Sequence, residues 1–304
     1  MAAGRPRPCV QAGNERPALR YNSAVKNSAN RKGYYAATHA TFNARKLHGK
    51  SPMLGIIGGT GLTQLANLEI KRRQLIRTPY GEPSGPLTFG ELGGKTVVFL
   101  PRHGNGHTIP PHCINYRANL WALHSEGVRD IVAVATVGGI RADLGPGKIA
   151  LPDQIIDYTY GRKHTFFDGQ GQDEMQQVKH VDFTEPYCAK LRELCLQAAS
   201  QVGETVDEGG TYAALQGPRL ETAAEIARLE RDGASIVGMT GMPEAALARE
   251  LEINYAHICP IVNHAAGRGS SLHGIRFEDI GAVLQETMHR VRNVIERVVT
   301  LHGD

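Results

Sequence analysis

Three short clusters in this sequence combine residue types that hold anions or grip a neutral ring. Ile56-Ile57-Gly58-Gly59-Thr60-Gly61-Leu62 passes from a β-branched run into three glycines and a hydroxyl. Glycines let a backbone take positive φ and aim its N–H groups at an oxyanion, and Thr60 adds a neutral donor, so phosphate is the first ligand to consider. A tight strand-to-helix turn needs the same glycines, and this stretch alone leaves both readings open. Pro101-Arg102-His103-Gly104-Asn105-Gly106-His107 follows another apolar run and places one fixed cation and two imidazoles where a strand ends. Ile131-Val132-Ala133-Val134-Ala135-Thr136-Val137-Gly138-Gly139 repeats the strand, threonine and glycine pattern. In open α/β sheets ligands collect beyond the carboxyl ends of the strands, so an anionic substrate suits these positions.

The elements needed to bring the clusters together can be read from apolar periodicity and from Gly and Pro punctuation. Residues 78–86, with three prolines and two glycines, read as a surface loop. A β-hairpin is expected from 87–90 and 95–100 around Gly93-Gly94. Strands are expected at 131–139, 148–157, 209–215, 235–239 and 253–262. Helices are expected at 115–127, 186–202, 221–231, 245–251 and 278–299, with Pro243 near the start of the fourth. Residues 161–179 are polar and contain glycine, consistent with a mobile loop over a site or an ordinary surface excursion. Strands alternating with helices give an α/β class, one domain with its site along a sheet edge.

Composition narrows the function classes. Of 34 Lys/Arg and 30 Asp/Glu, residues 1–52 hold ten bases and one acid, a net +9, leaving 24 bases and 29 acids, a net −5, for the remainder. That leader shows no hydrophobic period and is expected to be disordered; Met53, just before the first strand, suits a natural start, with an organelle transit peptide or a nucleic-acid-binding tail as the other readings. A mildly acidic domain from 53 to 304 argues against nucleic-acid binding, and no apolar run is long enough to cross a bilayer. Five scattered cysteines without a C-x-x-C pair fit reduced thiols in a cytoplasm, with Cys259 a small core residue.

Taken in order, the 56–61 and 101–104 motifs, Gly217-Pro218-Arg219-Leu220-Glu221-Thr222 and Val237-Gly238-Met239-Thr240-Gly241-Met242-Pro243-Glu244-Ala245 resemble the purine nucleoside phosphorylase family, in its branch acting on 5′-methylthio nucleosides. The resemblance covers Met53 to the C-terminus. It implies a single domain with a twisted mixed central β-sheet flanked by helices, a homotrimer, and phosphorolysis of the N-glycosidic bond with inorganic phosphate as co-substrate and neither metal nor organic cofactor. By position, Thr60, Arg102, His103, Ala135, Thr136 and Thr240 are similar to the phosphate-binding set, and Met239 to the residue against the ribose. Asn263 and His103 are the catalytic candidates.

Where methylthioadenosine phosphorylases carry an Asp-x-Asp pair, this sequence has Asn263 and Ala265, as 6-oxopurine phosphorylases do. An asparagine can donate to O6 and accept from N7–H, whereas a carboxylate would oppose O6 with a second acceptor. The base implied is therefore hypoxanthine-like. His107 matches a histidine that reaches a neighbouring subunit's site, and Val283 and Leu284 match an aliphatic wall for the 5′-methylthio group. Leu220 replaces a phenylalanine that stacks on the base. Loss of the acids leaves solvent or His264 to protonate N7. The expectation is phosphorolysis of a methylthio-6-oxopurine nucleoside. A methylthioadenosine or general 6-oxopurine phosphorylase, or a non-catalytic phosphate- or nucleoside-binding module, are the alternatives.

Overall fold

The computed structural model describes residues 53–303 apart from 63, 64, 66 and 170–176. The basic leader at 1–52 and the middle of the 161–179 segment lie outside the described residues. The strands are β1 (Met53–Gly58), β2 (Glu69–Gln74), β3 (Leu87–Leu92), β4 (Lys95–Pro101), β5 (Val128–Val134), β6 (Val137–Gly139), β7 (Ile149–Leu151), β8 (Gln154–Asp157), β9 (Val206–Glu208), β10 (Thr211–Ala214), β11 (Ala234–Gly238) and β12 (Asn254–His264). The helices are α1 (Tyr116–Ser125), α2 (Ala189–Gln201), α3 (Ala223–Arg231), α4 (Gly241–Glu250) and α5 (Phe277–Leu301).

The strands form one mixed sheet in the order β2-β3-β4-β1-β5-β12-β6-β11-β10-β8, with β7 joining β12 to β9. Its centre, β4-β1-β5-β12, is parallel. Parallel strands are covered on both faces, which is why β1 and β5 read as nearly unbroken apolar runs. Successive side chains point to opposite faces. Ile57 and Ala133 accordingly pack with Leu120 and Leu123 of α1 and Leu247 of α4, while Ile56, Val132 and Val134 pack with Leu191 of α2 and Val291 and Val294 of α5. A smaller cluster seats Ile226 and Leu229 of α3 on Ala213 and Val237.

The mixed α/β class holds, and several element boundaries differ from expectation for identifiable reasons. The run 131–139 is two strands, because Ala135 and Thr136 leave β5 before β6 pairs antiparallel with β11 and parallel with β12. Residues 148–157 divide at Pro152, which has no N–H for a ladder. β12 runs two residues further than expected, since Asn263 and His264 pair with Gly138 and Gly139. β2 is exposed along its whole length and carries no alternation to read; its pairing with β3 makes it a strand.

Candidate functional site

The parallel register sets the site. Gly58 stands beside Pro101, Ile57 beside Ala133, and Val134 beside Ile258, so Thr60, Arg102, Ala135 and Thr136 all emerge from one sheet edge within adjacent strands. Only Gly61 of the three glycines needs positive φ, at +79°. Gly58 and Gly59 are required by closeness instead: a Cβ on Gly58 would lie 2.0 Å from the Leu62 carbonyl oxygen, and one on Gly59 would lie 2.6 Å from the Val134 carbonyl oxygen and 2.9 Å from Arg102 Nη1. The turn thus lies directly on the Arg102 guanidinium and the end of β5.

Arg102 is 0% exposed. Its Nε and Nη2 each donate to the Glu244 carboxylate at 2.7 Å, and Nη1 donates to the Val134 carbonyl at 2.7 Å. Burial disfavours the charge, but Glu244 more than offsets this and holds the guanidinium above its ordinary value. Tyr255 donates to the same carboxylate at 2.8 Å. Three of five N–H donors are committed among the described residues, and the remaining one on each Nη has no partner there. Arg102 is therefore an oriented pair of donors whose charge Glu244 matches, rather than an open cation on a loop.

His103 Nδ1 meets the Ile109 carbonyl at 2.8 Å, which requires Nδ1 to carry the proton and leaves Nε2 as an acceptor. Burial, with the Arg102 charge and His107 adding to it, lowers its pKa to about 4 despite that hydrogen bond, so the ring is neutral near pH 7. Thr240, between β11 and α4, is 4% exposed, and its hydroxyl has no hydrogen-bond partner among the described residues. A buried orphan hydroxyl is costly unless something meets it, and an oxyanion would. The chemistry of this set therefore fits phosphate: hydroxyls at Thr60, Thr136 and Thr240, two guanidinium N–H groups, and an imidazole acceptor for a P–OH proton.

The nucleoside candidates lie further along the same edge. Met239 rests on Gly217, where an added Cβ would be 2.4 Å from its sulfur. Gly267 abuts Ala223 at the start of α3, closing the Leu220 segment against the end of β12. Asn263 lies over Gly138 and gives one amide N–H to the His264 carbonyl at 2.7 Å. Among the described residues its other N–H and its side-chain oxygen meet no partner, with the buried Ala265 two residues on. Leu284 and Met288 of α5 pack on Gly61, which puts two aliphatic side chains beside the turn, with Val283 half-buried in the sequence next to Leu284. His107 is exposed, with its ring centroid 4.4 Å from that of His103 in the same chain.

Two sequence expectations change. His264 Nδ1 accepts from the Ser270 N–H at 3.3 Å and meets the Ser270 hydroxyl at 3.0 Å. As the strand neighbour of Asn263 it points to the other face, and its Nδ1 is committed to tying the 265–271 loop through Ser270. Residues 161–168 are not a loose cover. Arg162 and Phe166 are buried, Thr165 Oγ1 and the Phe166 N–H donate to Glu250 at 2.6 and 2.7 Å, and Arg117 pairs with Asp168 at 2.7 Å.

Sequence reasoning also missed Glu244, Arg162 and Glu221. Glu244 sits in a quoted motif, but nothing local tells a buried ion-pair partner from a helix-start acid. Glu221, half-buried beside Leu220, has its pKa raised by burial first, with Glu225 adding to this against the Arg219 charge. A carboxylate placed next to candidate base contacts is a hydrogen-bond acceptor that motif spacing alone did not mark. Among the described residues no group of three or more His, Cys, Asp or Glu could hold a metal ion, and no helix is long and apolar enough to cross a membrane. Cys259 is buried, with its thiol pKa pushed up by burial, as a core residue should be.

A mixed sheet whose strand ends gather hydroxyl, guanidinium and imidazole groups suited to an oxyanion, with Leu284 and Met288 of α5 packed on the same glycine turn, has the frame of an α/β enzyme. The chain belongs to the phosphorylase superfamily, whose profile matches residues 53–300. It is 49% identical over 245 residues to a probable S-methyl-5′-thioinosine phosphorylase of Pseudomonas syringae pv. tomato, covering 81% of this chain and 97% of that one. It is 48% identical to the 6-oxopurine nucleoside phosphorylase of Pyrococcus furiosus, over 71% of this chain and 81% of that one. The solved structure of methylthioadenosine phosphorylase from Schistosoma mansoni in complex with adenine is similar at a TM-score of 0.78 and 31% identity, over 83% and 92% of the two chains. The chain is a pentosyltransferase, and its chemistry is phosphorolysis of a nucleoside.

Proposed function

We propose that the chain cleaves 5′-methylthioinosine with phosphate, giving hypoxanthine and 5-methylthioribose 1-phosphate. The observation that carries this reading is the Asn263 amide, which has one N–H and its oxygen uncommitted beside Ala265. That donor and acceptor pair suits O6 and N7–H of a departing 6-oxopurine; it does not suit a departing adenine, whose 6-amino group and N7–H both donate and call for two acceptors. Glu221 supports it, since N1 of a 6-oxopurine carries a hydrogen that a carboxylate can accept, whereas adenine N1 is itself an acceptor. The high identity to chains named for methylthioinosine and 6-oxopurine substrates points the same way.

In this reaction a phosphate oxygen forms a bond to C1′ while the C1′–N9 bond breaks and its electron pair leaves with the base. Thr60, Arg102, Thr136 and Thr240 hold phosphate in line, Ala135 shapes the floor, and neutral His103 accepts a P–OH hydrogen, which leaves an oxygen lone pair toward the sugar. Met239 lies against the ribose and Leu220 against the base. Asn263 strengthens its hold as the base gains charge and N7 takes a proton from solvent. Val283 and Leu284, with His107 of a neighbouring subunit, enclose the methylthio group. The working unit is a cytoplasmic homotrimer that uses no cofactor besides phosphate.

The test compares kcat/KM on methylthioinosine, methylthioadenosine and inosine, each with and without phosphate. Phosphate-dependent preference for methylthioinosine is expected. A preference for methylthioadenosine would overturn the base assignment, a preference for inosine the 5′ assignment, and phosphate binding without cleavage of any of the three would leave a non-catalytic module.

A further inference from the structure

Arg162 is a buried guanidinium with no carboxylate partner among the described residues. Its Nε donates to the Gln216 side-chain oxygen at 3.0 Å. Nη2 donates to the main-chain carbonyls of Leu215 at 3.2 Å and Gln216 at 2.8 Å. Nη1 donates to the carbonyls of Met239 at 2.8 Å and Met242 at 2.6 Å, with the Tyr116 hydroxyl at 3.2 Å. One planar fork therefore spans two segments that sheet pairing alone does not fix. One is the 239–242 turn, which carries Met239 and the orphan hydroxyl of Thr240; the other is 215–216, which leads through Gly217 to Leu220 and Glu221.

The fork geometry decides what Arg162 can do. A point charge would satisfy one carbonyl cluster, whereas a rigid guanidinium fixes the distance and angle between two. The 161–168 segment that carries Arg162 is itself anchored on Glu250, so the guanidinium is held from behind. We propose that Arg162 is a positioning residue for the phosphorolysis proposed above: it sets the spacing between the phosphate-holding turn and the nucleoside-holding loop, and so keeps phosphate in line with the glycosidic bond. It touches neither substrate. Losing it costs alignment in the reacting complex rather than affinity for either partner.

The experiment uses the full chain with Arg162→Lys and Arg162→Ala. Both variants are expected to lose about 100-fold in kcat, the scale of an ångström-sized misplacement. The dissociation constants for phosphate alone and hypoxanthine alone should stay close to wild type. Guanidinium, at concentrations far below those that unfold proteins, should restore part of the kcat of the alanine variant, and methylammonium should not. A lysine variant with wild-type kcat overturns the proposal, because charge would then suffice without the fork. So does parallel loss of kcat and both affinities with no response to guanidinium, which marks a purely structural role. If the alanine variant does not fold, the lysine variant decides alone. A wild-type chain that cleaves no purine nucleoside would overturn the function instead, leaving the two failures distinct.

Discussion

At the scale of single residues, function rests on which hydrogen-bonding groups remain uncommitted. Asn263 keeps a donor and an acceptor, so Asn263→Asp should shift the ratio of kcat/KM for methylthioadenosine over methylthioinosine upward by about tenfold or more. An unchanged ratio would mean that Asn263 does not read position 6. His103 makes a prediction about acid. Its pKa in the fold is about 4, against an ordinary value of 6.5. Above pH 6.5 the ring is neutral folded and unfolded, and contributes nothing to pH dependence. As pH falls from 6.5 to 4 the unfolded chain takes up the proton and the folded one does not, so stability drops, levelling off below 4 after a loss of roughly 3 kcal/mol. Denaturant titrations across this window should show a smaller loss in His103→Gln than in wild type.

At the scale of elements, the ion pair between Arg102 at the end of β4 and Glu244 on α4 joins a helix to the sheet. Removing one partner leaves a buried charge unmatched, so Glu244→Gln should cost roughly 3–5 kcal/mol in denaturant unfolding. A loss under 1 kcal/mol would show that the Val134 carbonyl and solvent suffice for Arg102. The elements differ in how far the sequence discloses them. The strands that enter the site were legible because parallel strands buried on both faces leave long apolar runs ending in Gly and Thr, as at Ile57 and Val134. Asn263 was assigned from its motif, yet its place inside β12 was not legible, because that strand is extended by pairing with β6, a contact far away in sequence. Arg162 and Glu244 were illegible for a related reason: a buried charged side chain is chosen by partners that only the fold brings near. The roles of Gly58 and Gly59 were read as freedom of φ when the structure makes them matters of space.

At the scale of the whole molecule, all the described site elements lie between Met53 and α5. A chain beginning at Met53 should therefore keep full kcat and KM, and sedimentation of both forms should give a trimer. A shortened chain that lost activity would assign the leader a catalytic or assembly role. If His107 acts across a subunit boundary, an inactive His103→Ala chain mixed with a His107→Ala chain should regain activity in hybrid trimers, whereas a site complete within one chain would show none.

β12 shares hydrogen bonds with β5 along its first half and with β6 along its second. Around Asn263 the pairing among these strands is with Gly138 of β6. The residue proposed to read the leaving base thus rides on strand backbone paired with β6 rather than on a free loop. A change of base preference at 263 is then expected to act chiefly through side-chain chemistry, and the proposed phosphate turn after β1 need not change with it. In a lineage of such enzymes, the leaving group could be exchanged by one or two substitutions while the nucleophile's site stayed as it was.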